Sequence, residues 1–374
     1  MPRCSDWVFL VDLTIQLGTH KCLVILGVPL SQLRRLGYSP DHHDVHVLSL
    51  QVLTRCTGPI VSGHLSTVSQ RVGVPVQIVS DHGGDVLAGI RSFQQKNRHH
   101  GHVVETWDIT HGLAILLKHQ LEPDPRWASF VKACQSTRQQ LQQTVGSFLQ
   151  PPAWRSKARF LNLESHLRWA NDMLVLLCGG SEGTLAQQLG RSEAESKQWR
   201  EEKLGWLRGY AGEVKVWSYF QRVVKHAEEE IKRAGLSRTS WRKIKRRLVG
   251  ESRRIGKERT FRRQVLAFVQ KEGAKIPLRQ QYLGSSDVLE SLFGKYKDLA
   301  EQAPSREITA NVLTIPLLVT PLTPELLRQA LETIREQDVE QWLEEHLGPP
   351  PQKKKRVALT AAGGSNTKED PEPA

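Results

Sequence analysis

Two short apolar runs open the chain, WVFLVDLTIQL (7–17) and KCLVILGV (21–28), joined at Gly18-Thr19. Runs of this length, rich in Val, Ile and Leu and separated by a glycine turn, predict a buried hairpin. VHVLSLQVL (45–53) predicts a third strand. Residues 61–72 predict a helix, and VPVQIVS (74–80) a fourth strand ending at Asp81. DHGGD leads into a second helix, VLAGIRSFQQ (86–95), and HVVETW (102–107) predicts a fifth strand. Three strands, helix, strand, helix, strand require a mixed sheet with helices packed on it, because crossovers separate the later strands.

The pattern changes from about 112 to 280, where helical periodicity replaces strands and seven of the ten tryptophans fall. This predicts one largely helical domain. SSDVLESLFGKYKDLAEQ (285–302) predicts an amphipathic helix with Ser285 or Ser286 as its N-cap. TPELLRQALETIREQDVEQWLEEHL (323–347) predicts one or two closing helices started by Pro324. The expected organisation is therefore a core in two parts, 1–111 and 281–347, around a helical block at 112–280. The tail at 348–374, basic then acidic and of low complexity, is expected to be disordered.

Charge sharpens the picture. The net charge is +13, with a pI near 9.6, which points to a polyanionic partner, nucleic acid first. Between 238 and 263, twelve Lys/Arg stand against two Glu. The run reads as a solvated helix face or, beside Trp241 and Phe261, as a phosphate-contacting surface that includes Arg242, Lys243, Lys245, Arg246 and Arg247. Five cysteines without a CxxC pair argue against a disulfide framework or zinc ribbon and for a reducing compartment. No apolar run reaches the length of a membrane span, and Asp6 and Asp12 interrupt the N-terminal stretch, so no signal peptide is expected.

Candidate chemistry rests on carboxylates. Asp12 lies inside the first apolar strand, where an ionised group is costly unless compensated. Asp81 ends the fourth strand. Taken singly, Asp12 also reads as a strand-end polar residue and Asp81 as a turn former before His-Gly-Gly. On the predicted 285–302 helix, Val288, Leu289, Leu292, Phe293 and Tyr296 share the face that would pack on the sheet. Glu290, Gly294 and Lys297 share a second stripe: a carboxylate, a position without a side chain and a cation, with room for a nucleic-acid backbone beside a metal. Glu164 competes as an acidic residue but lacks that stripe.

With this strand order, Asp on strands one and four resembles the ribonuclease H-like fold, and within it the DDE transposases. Their third carboxylate is a Glu on a helix returning to the sheet, commonly after an inserted helical domain, and Glu290 matches it here. Glu290 and Lys297 also resemble the Glu-Lys half of the YREK signature of some bacterial insertion-sequence transposases. Leu283 and Ser286 stand where its Tyr and Arg would be, with Tyr282 one place off. Asp108-Ile109-Thr110-His111 is similar to the (Cys or Asp)-x-x-His motif that follows the fifth strand in hAT-type elements. That resemblance implies a role for Asp108 and His111 in shaping the site and handling a displaced base. Without it, Asp108 is a helix N-cap and His111 incidental.

The resemblance implies Asp12, Asp81 and Glu290 as ligands of two Mg²⁺ or Mn²⁺ ions that drive in-line cleavage at transposon ends and strand transfer to target DNA. It also implies a homodimer synapsing two ends. The core begins almost at Met1, so the chain is expected to be a fragment of a split or shortened element, to rely on a separate partner protein or domain, or to bind ends through its helical block. The alternatives are a catalytically inactive, transposase-derived DNA-binding protein and a ribonuclease H-like nuclease acting on hybrids or branched DNA. PQKKKRV reads equally as a nuclear-localisation signal or a DNA-touching tail, so the compartment stays open between a bacterial nucleoid and a eukaryotic nucleus.

Overall fold

The computed structural model describes residues 3–17, 20–154, 163–179, 182–251, 256–301 and 310–349, together with 353, 355–357, 359 and 360. The rest of the tail at 348–374 lies outside the described residues. Its six described positions from 353 onward are helical and exposed, where disorder was expected. The chain divides into two compact units, Met1–Thr106 with Ser286–Ala374, and Trp107–Ser285.

The first unit is α/β. Strands β1 (Trp7–Leu17), β2 (His20–Pro29), β3 (His46–Leu53), β4 (Gln77–Ser80) and β5 (Val104–Trp107) form one mixed sheet in the order β3-β2-β1-β4-β5. β1 and β2 pair antiparallel through the hairpin, β2 and β3 likewise, while β1 and β4 are parallel. A parallel neighbour needs a crossover, and α2 (Gly58–Val72) supplies it; α3 (Gly84–Lys96) then leads towards β5. A short helix, α1 (Leu30–Arg35), follows β2, where the apolar pattern was too short to predict one.

Trp7, Phe9 and Val11 of β1 pack with Leu23, Ile25 and Ile78 against Val61, Leu65, Ile90 and Phe93 of α2 and α3. The two helices approach closely because both contact positions are glycine. A Cβ on Gly89 would lie 2.5 Å from that of Val61, and one on Gly58 would lie 3.0 Å from that of Ala88. The other sheet face receives α12 (Asp287–Glu301), followed by α13 (Thr314–Val319), α14 (Pro324–Thr333) and α15 (Glu336–Leu347). Neither α14 nor α15 buries a residue.

The second unit is helical: α4 (Ile109–Leu121), α5 (Pro125–Leu141), α6 (Leu163–Leu177), α7 (Glu182–Leu189), α8 (Glu193–Leu204), α9 (Ala211–Ala234), α10 (Ser240–Arg247) and α11 (Lys257–Ala274). Its tryptophans mostly build its core. Trp127, Trp169, Trp199 and Trp217 are buried, Trp206 packs on Phe130 and Tyr210 and donates to Thr137 Oγ1, and Trp154 stacks on His166. Within its bounds the sequence holds 33 Lys/Arg against 17 Asp/Glu, a net +16, so the chain's entire positive excess belongs to this unit.

Candidate active site and nucleic-acid surface

Sheet parity fixes where the two aspartates point. Trp7, Phe9 and Val11 occupy the α2/α3 face, so the period of two sends Val8, Leu10 and Asp12 to the opposite face. On β4, Ile78 shares the α2/α3 core, which leaves Gln77, Val79 and then Asp81 on the Asp12 side. The parallel register runs from Val8 opposite Gln77 to Val11 opposite Ser80. Asp12, midway along β1, and Asp81, the residue just past the end of β4, each follow the last parallel pair by one residue.

Local contacts hold both carboxylates. Leu13 N–H donates to Asp12 Oδ1 at 2.6 Å, and Gly83 N–H donates to Asp81 Oδ1 at 2.9 Å. The turn after β4 is tight: His82 has φ +63°, and a Cβ on Gly83 would sit 3.3 Å from the Asp81 oxygen. His82 Nε2 in turn pairs with the Glu105 carboxylate on β5, anchoring the turn to the sheet. His82 and Glu105 carry no sequence signal, because their proximity follows from β4 and β5 being neighbours.

α12 brings the third carboxylate to this unit. Val288, Leu289, Leu292, Phe293 and Tyr296, the five residues expected on its sheet-facing side, are all buried. Burial pushes the Tyr296 phenol up to about 12, with a smaller contribution from the Cys22 thiol. Cys22 is opposite Thr14, so it shares the face of Asp12, and α12 therefore packs on the aspartates' side of the sheet. His42 Nε2 lies 3.3 Å from Ser291 Oγ on the same helix. Burial lowers the His42 pKa, and Lys295 nearby lowers it further. Glu290 and Gly294 are half-buried and Lys297 is exposed; a Cβ on Gly294 would meet nothing within 4 Å. Asp12, Asp81 and Glu290 do not each bring an oxygen within 4.8 Å of the other two.

In the helical unit, Asp108 is fully buried and caps α4. Its Oδ1 accepts from His111 N–H at 2.9 Å and lies 3.6 Å from His111 Nδ1, while Ser285 Oγ donates to its Oδ2 at 3.4 Å. The geometry is that of an N-cap, with the histidine folded back on the capping carboxylate. Glu164 is committed elsewhere, accepting from Lys225 at 2.8 Å and Arg168 at 2.7 Å.

The basic run divides between two faces of α10. Glu230 on α9, 6% exposed, pairs with Arg233 at 3.1 Å, Arg247 at 3.7 Å and Lys243 at 3.9 Å. A buried carboxylate needs such compensation, so Lys243 and Arg247 are turned towards α9. Trp241 and Lys245, two positions back in register, line a groove against α11 instead. Arg242 and Arg246 are exposed, and the Arg242 guanidinium lies 5.4 Å from the Trp241 ring centre. Glu230 sits inside an EEE run, which gave no sign of this role.

No protein-family model matches the chain, and no curated protein matches it either. Among the described residues, no helix is long and apolar enough to cross a membrane.

Proposed function

We propose that the first unit is a ribonuclease H-like catalytic core and that the chain is a DDE-type transposase acting on DNA. One observation carries this reading: the β1/β4 pairing runs up to Val11 and Ser80, the residues just before Asp12 and Asp81, in the sheet that also receives the helix of Glu290. Three carboxylates form an all-oxygen donor set, which suits hard cations such as Mg²⁺ or Mn²⁺ and not zinc or copper. When bound, a pair of such ions activates a water or a DNA 3′-hydroxyl and stabilises the leaving oxygen at phosphorus.

The chain's own residues do the rest. Asp12 on β1 and Asp81 just after β4 supply negative charge from two adjacent strands, and Glu290 closes the set from α12. The Gly83 N–H and the His82–Glu105 pair hold the Asp81 turn so that its carboxylate keeps its aim. Lys297, two turns beyond Glu290 on the same stripe, is available to a phosphate past the open position at Gly294. Asp108 is buried as the α4 N-cap, so of the pair the base-handling role implied by the resemblance falls to the half-buried His111. The surplus of cations in the helical unit supplies salt-sensitive contacts to the DNA backbone.

A second reading, a DNA-binding protein without catalysis, is favoured by the wider spacing of the three carboxylates. The purified chain, incubated with labelled duplex DNA and Mn²⁺ or Mg²⁺, separates the two readings. Nicking or joining that is lost in Asp12→Asn, Asp81→Asn and Glu290→Gln, each still folded, supports the enzyme. Salt-sensitive binding with no cleavage at any metal concentration supports the binder. Full activity in any one variant removes that residue from the site.

A further inference from the structure

The groove between α10 and α11 has a chemistry of its own. It encloses about 340 Å³, within the range of small-ligand clefts, roughly 300–1,000 Å³. Its floor is apolar, formed by Trp241 and Leu248 on one side and Leu266 on the other. Four cations, Lys245, Arg259, Arg262 and Arg263, line the same groove, with no carboxylate among the described residues that line it. The spacing explains this: Arg259, Arg263 and Leu266 fall on one face of α11, away from the buried Phe261 and Val265, with Arg262 at its edge. On α10, the Glu230 ion pairs hold Lys243 and Arg247 towards α9, which leaves the Trp241 and Lys245 side facing the groove.

The larger groove between α6 and α9, about 420 Å³, offers a contrast. Glu164 and Glu229 are among its lining residues, and Glu164 already engages Lys225 and Arg168. An anion there would meet carboxylates and cations that are already paired. Among its described lining residues, the α10–α11 groove instead sets aromatic and aliphatic side chains beside cations. A flat apolar body attached to phosphates fits both features. Double-stranded DNA offers phosphates but keeps its base faces stacked, whereas an unpaired nucleotide offers both.

We infer that the α10–α11 groove binds single-stranded nucleic acid, with a base lying against Trp241 and Leu266 and the flanking phosphates on Lys245, Arg259 and Arg263. This does not depend on the catalytic reading: the carboxylates of the other unit take no part, and the binding needs no metal.

The test uses the full chain carrying Asp12→Asn, in EDTA, with three probes of equal length: oligodeoxythymidine, an abasic oligonucleotide and a duplex. Trp241→Ala is expected to weaken oligodeoxythymidine binding by about 5- to 150-fold, the equivalent of one base stack. It is expected to leave the abasic probe unchanged, and Trp241→Phe should retain most of the affinity. Arg259→Gln with Arg263→Gln should weaken both single-stranded probes and flatten the slope of log K against log salt by about 1.4, for two phosphates. Equal loss on the abasic and thymidine probes in Trp241→Ala would overturn the base site. So would no loss on either, or tighter duplex binding that ignores Trp241. A misfolded Trp241→Ala chain, detected by circular dichroism, leaves the decision to Trp241→Phe and the arginine pair. Cleavage activity, present or absent, does not alter any of these outcomes.

Discussion

Neutralising Asp12 should make the metal-free protein more stable. Asp12, midway along β1, and Asp81, just past the end of β4, each lie one residue beyond the last parallel pair, Val11 with Ser80, and adjacent strands lie roughly 4.8 Å apart. Two like charges about 5 Å apart repel by roughly 3.3 kcal/mol at an effective dielectric of 20 and about 0.8 kcal/mol in bulk water. Both residues are half-buried, which places the repulsion at about 1–2 kcal/mol. Asp12→Asn removes that term, and its side-chain oxygen can still accept from Leu13 N–H, now made at 2.6 Å. In a unit of this size, 1 kcal/mol moves Tm by about 2–4 °C, so the variant should melt about 2–8 °C higher without metal. With Mn²⁺ at a hundredfold its Kd, the unsubstituted chain should gain about 2.7 kcal/mol, or roughly 5–11 °C, and Asp12→Asn should gain almost nothing. The assay is a thermal melt of both chains in EDTA and in Mn²⁺. A variant that melts lower in EDTA and still shows the full Mn²⁺ shift would refute the reasoning, because Asp12 would then be a structural residue with no part in metal binding.

Three further outcomes follow from particular contacts. Glu230→Gln should destabilise the helical unit by about 2–3 kcal/mol, since one charge-assisted bond to Arg233 and two longer pairs are lost and the exposed cations return to water; denaturant melts of this variant and of Arg233→Gln would show it. The His42 pKa is lowered in the folded state by burial and by Lys295, so the stability linked to neutral His42 is full above about pH 6.5 and is lost as the pH falls through the folded value. Melting temperature against pH should therefore drop on the acid side of 6.5, and the drop should shrink in His42→Gln. Gly89→Ala drives a methyl against the Val61 Cβ and the Gly58 carbonyl and should cost about 1–3 kcal/mol, measured by chemical unfolding.

Much of the first unit was legible because its signals are local. Alternation and turn residues gave the five strands, and the helical stripe of Val288 to Tyr296 gave the buried face of α12. The differences fall where local pattern is silent. α1 spans only Leu30–Arg35, under two turns, too short for a period to declare itself. α2 begins at Gly58 with a proline in its first turn, three residues before the apolar pattern becomes regular. Residues 74–76 read as strand, yet the β4 ladder begins at Gln77, after the turn at Gly73 with φ +111°. Of the proposed site, Asp12, Asp81 and Glu290 are sequence expectations, whereas the His82–Glu105 clamp depends on which strands are neighbours. The basic run likewise gave its charge but not its partition, since nothing local says that Glu230 would bind one face of α10 and leave the other to a groove.

The central claim is that Asp12, Asp81 and Glu290 hold divalent cations for chemistry on DNA. Anomalous diffraction from crystals grown with Mn²⁺ and a short DNA duplex tests it most directly. The account predicts manganese peaks ligated by oxygens of all three residues, absent in crystals of Asp12→Asn. Peaks that avoid these residues, or a metal-free site in a chain that still binds the DNA, would contradict it.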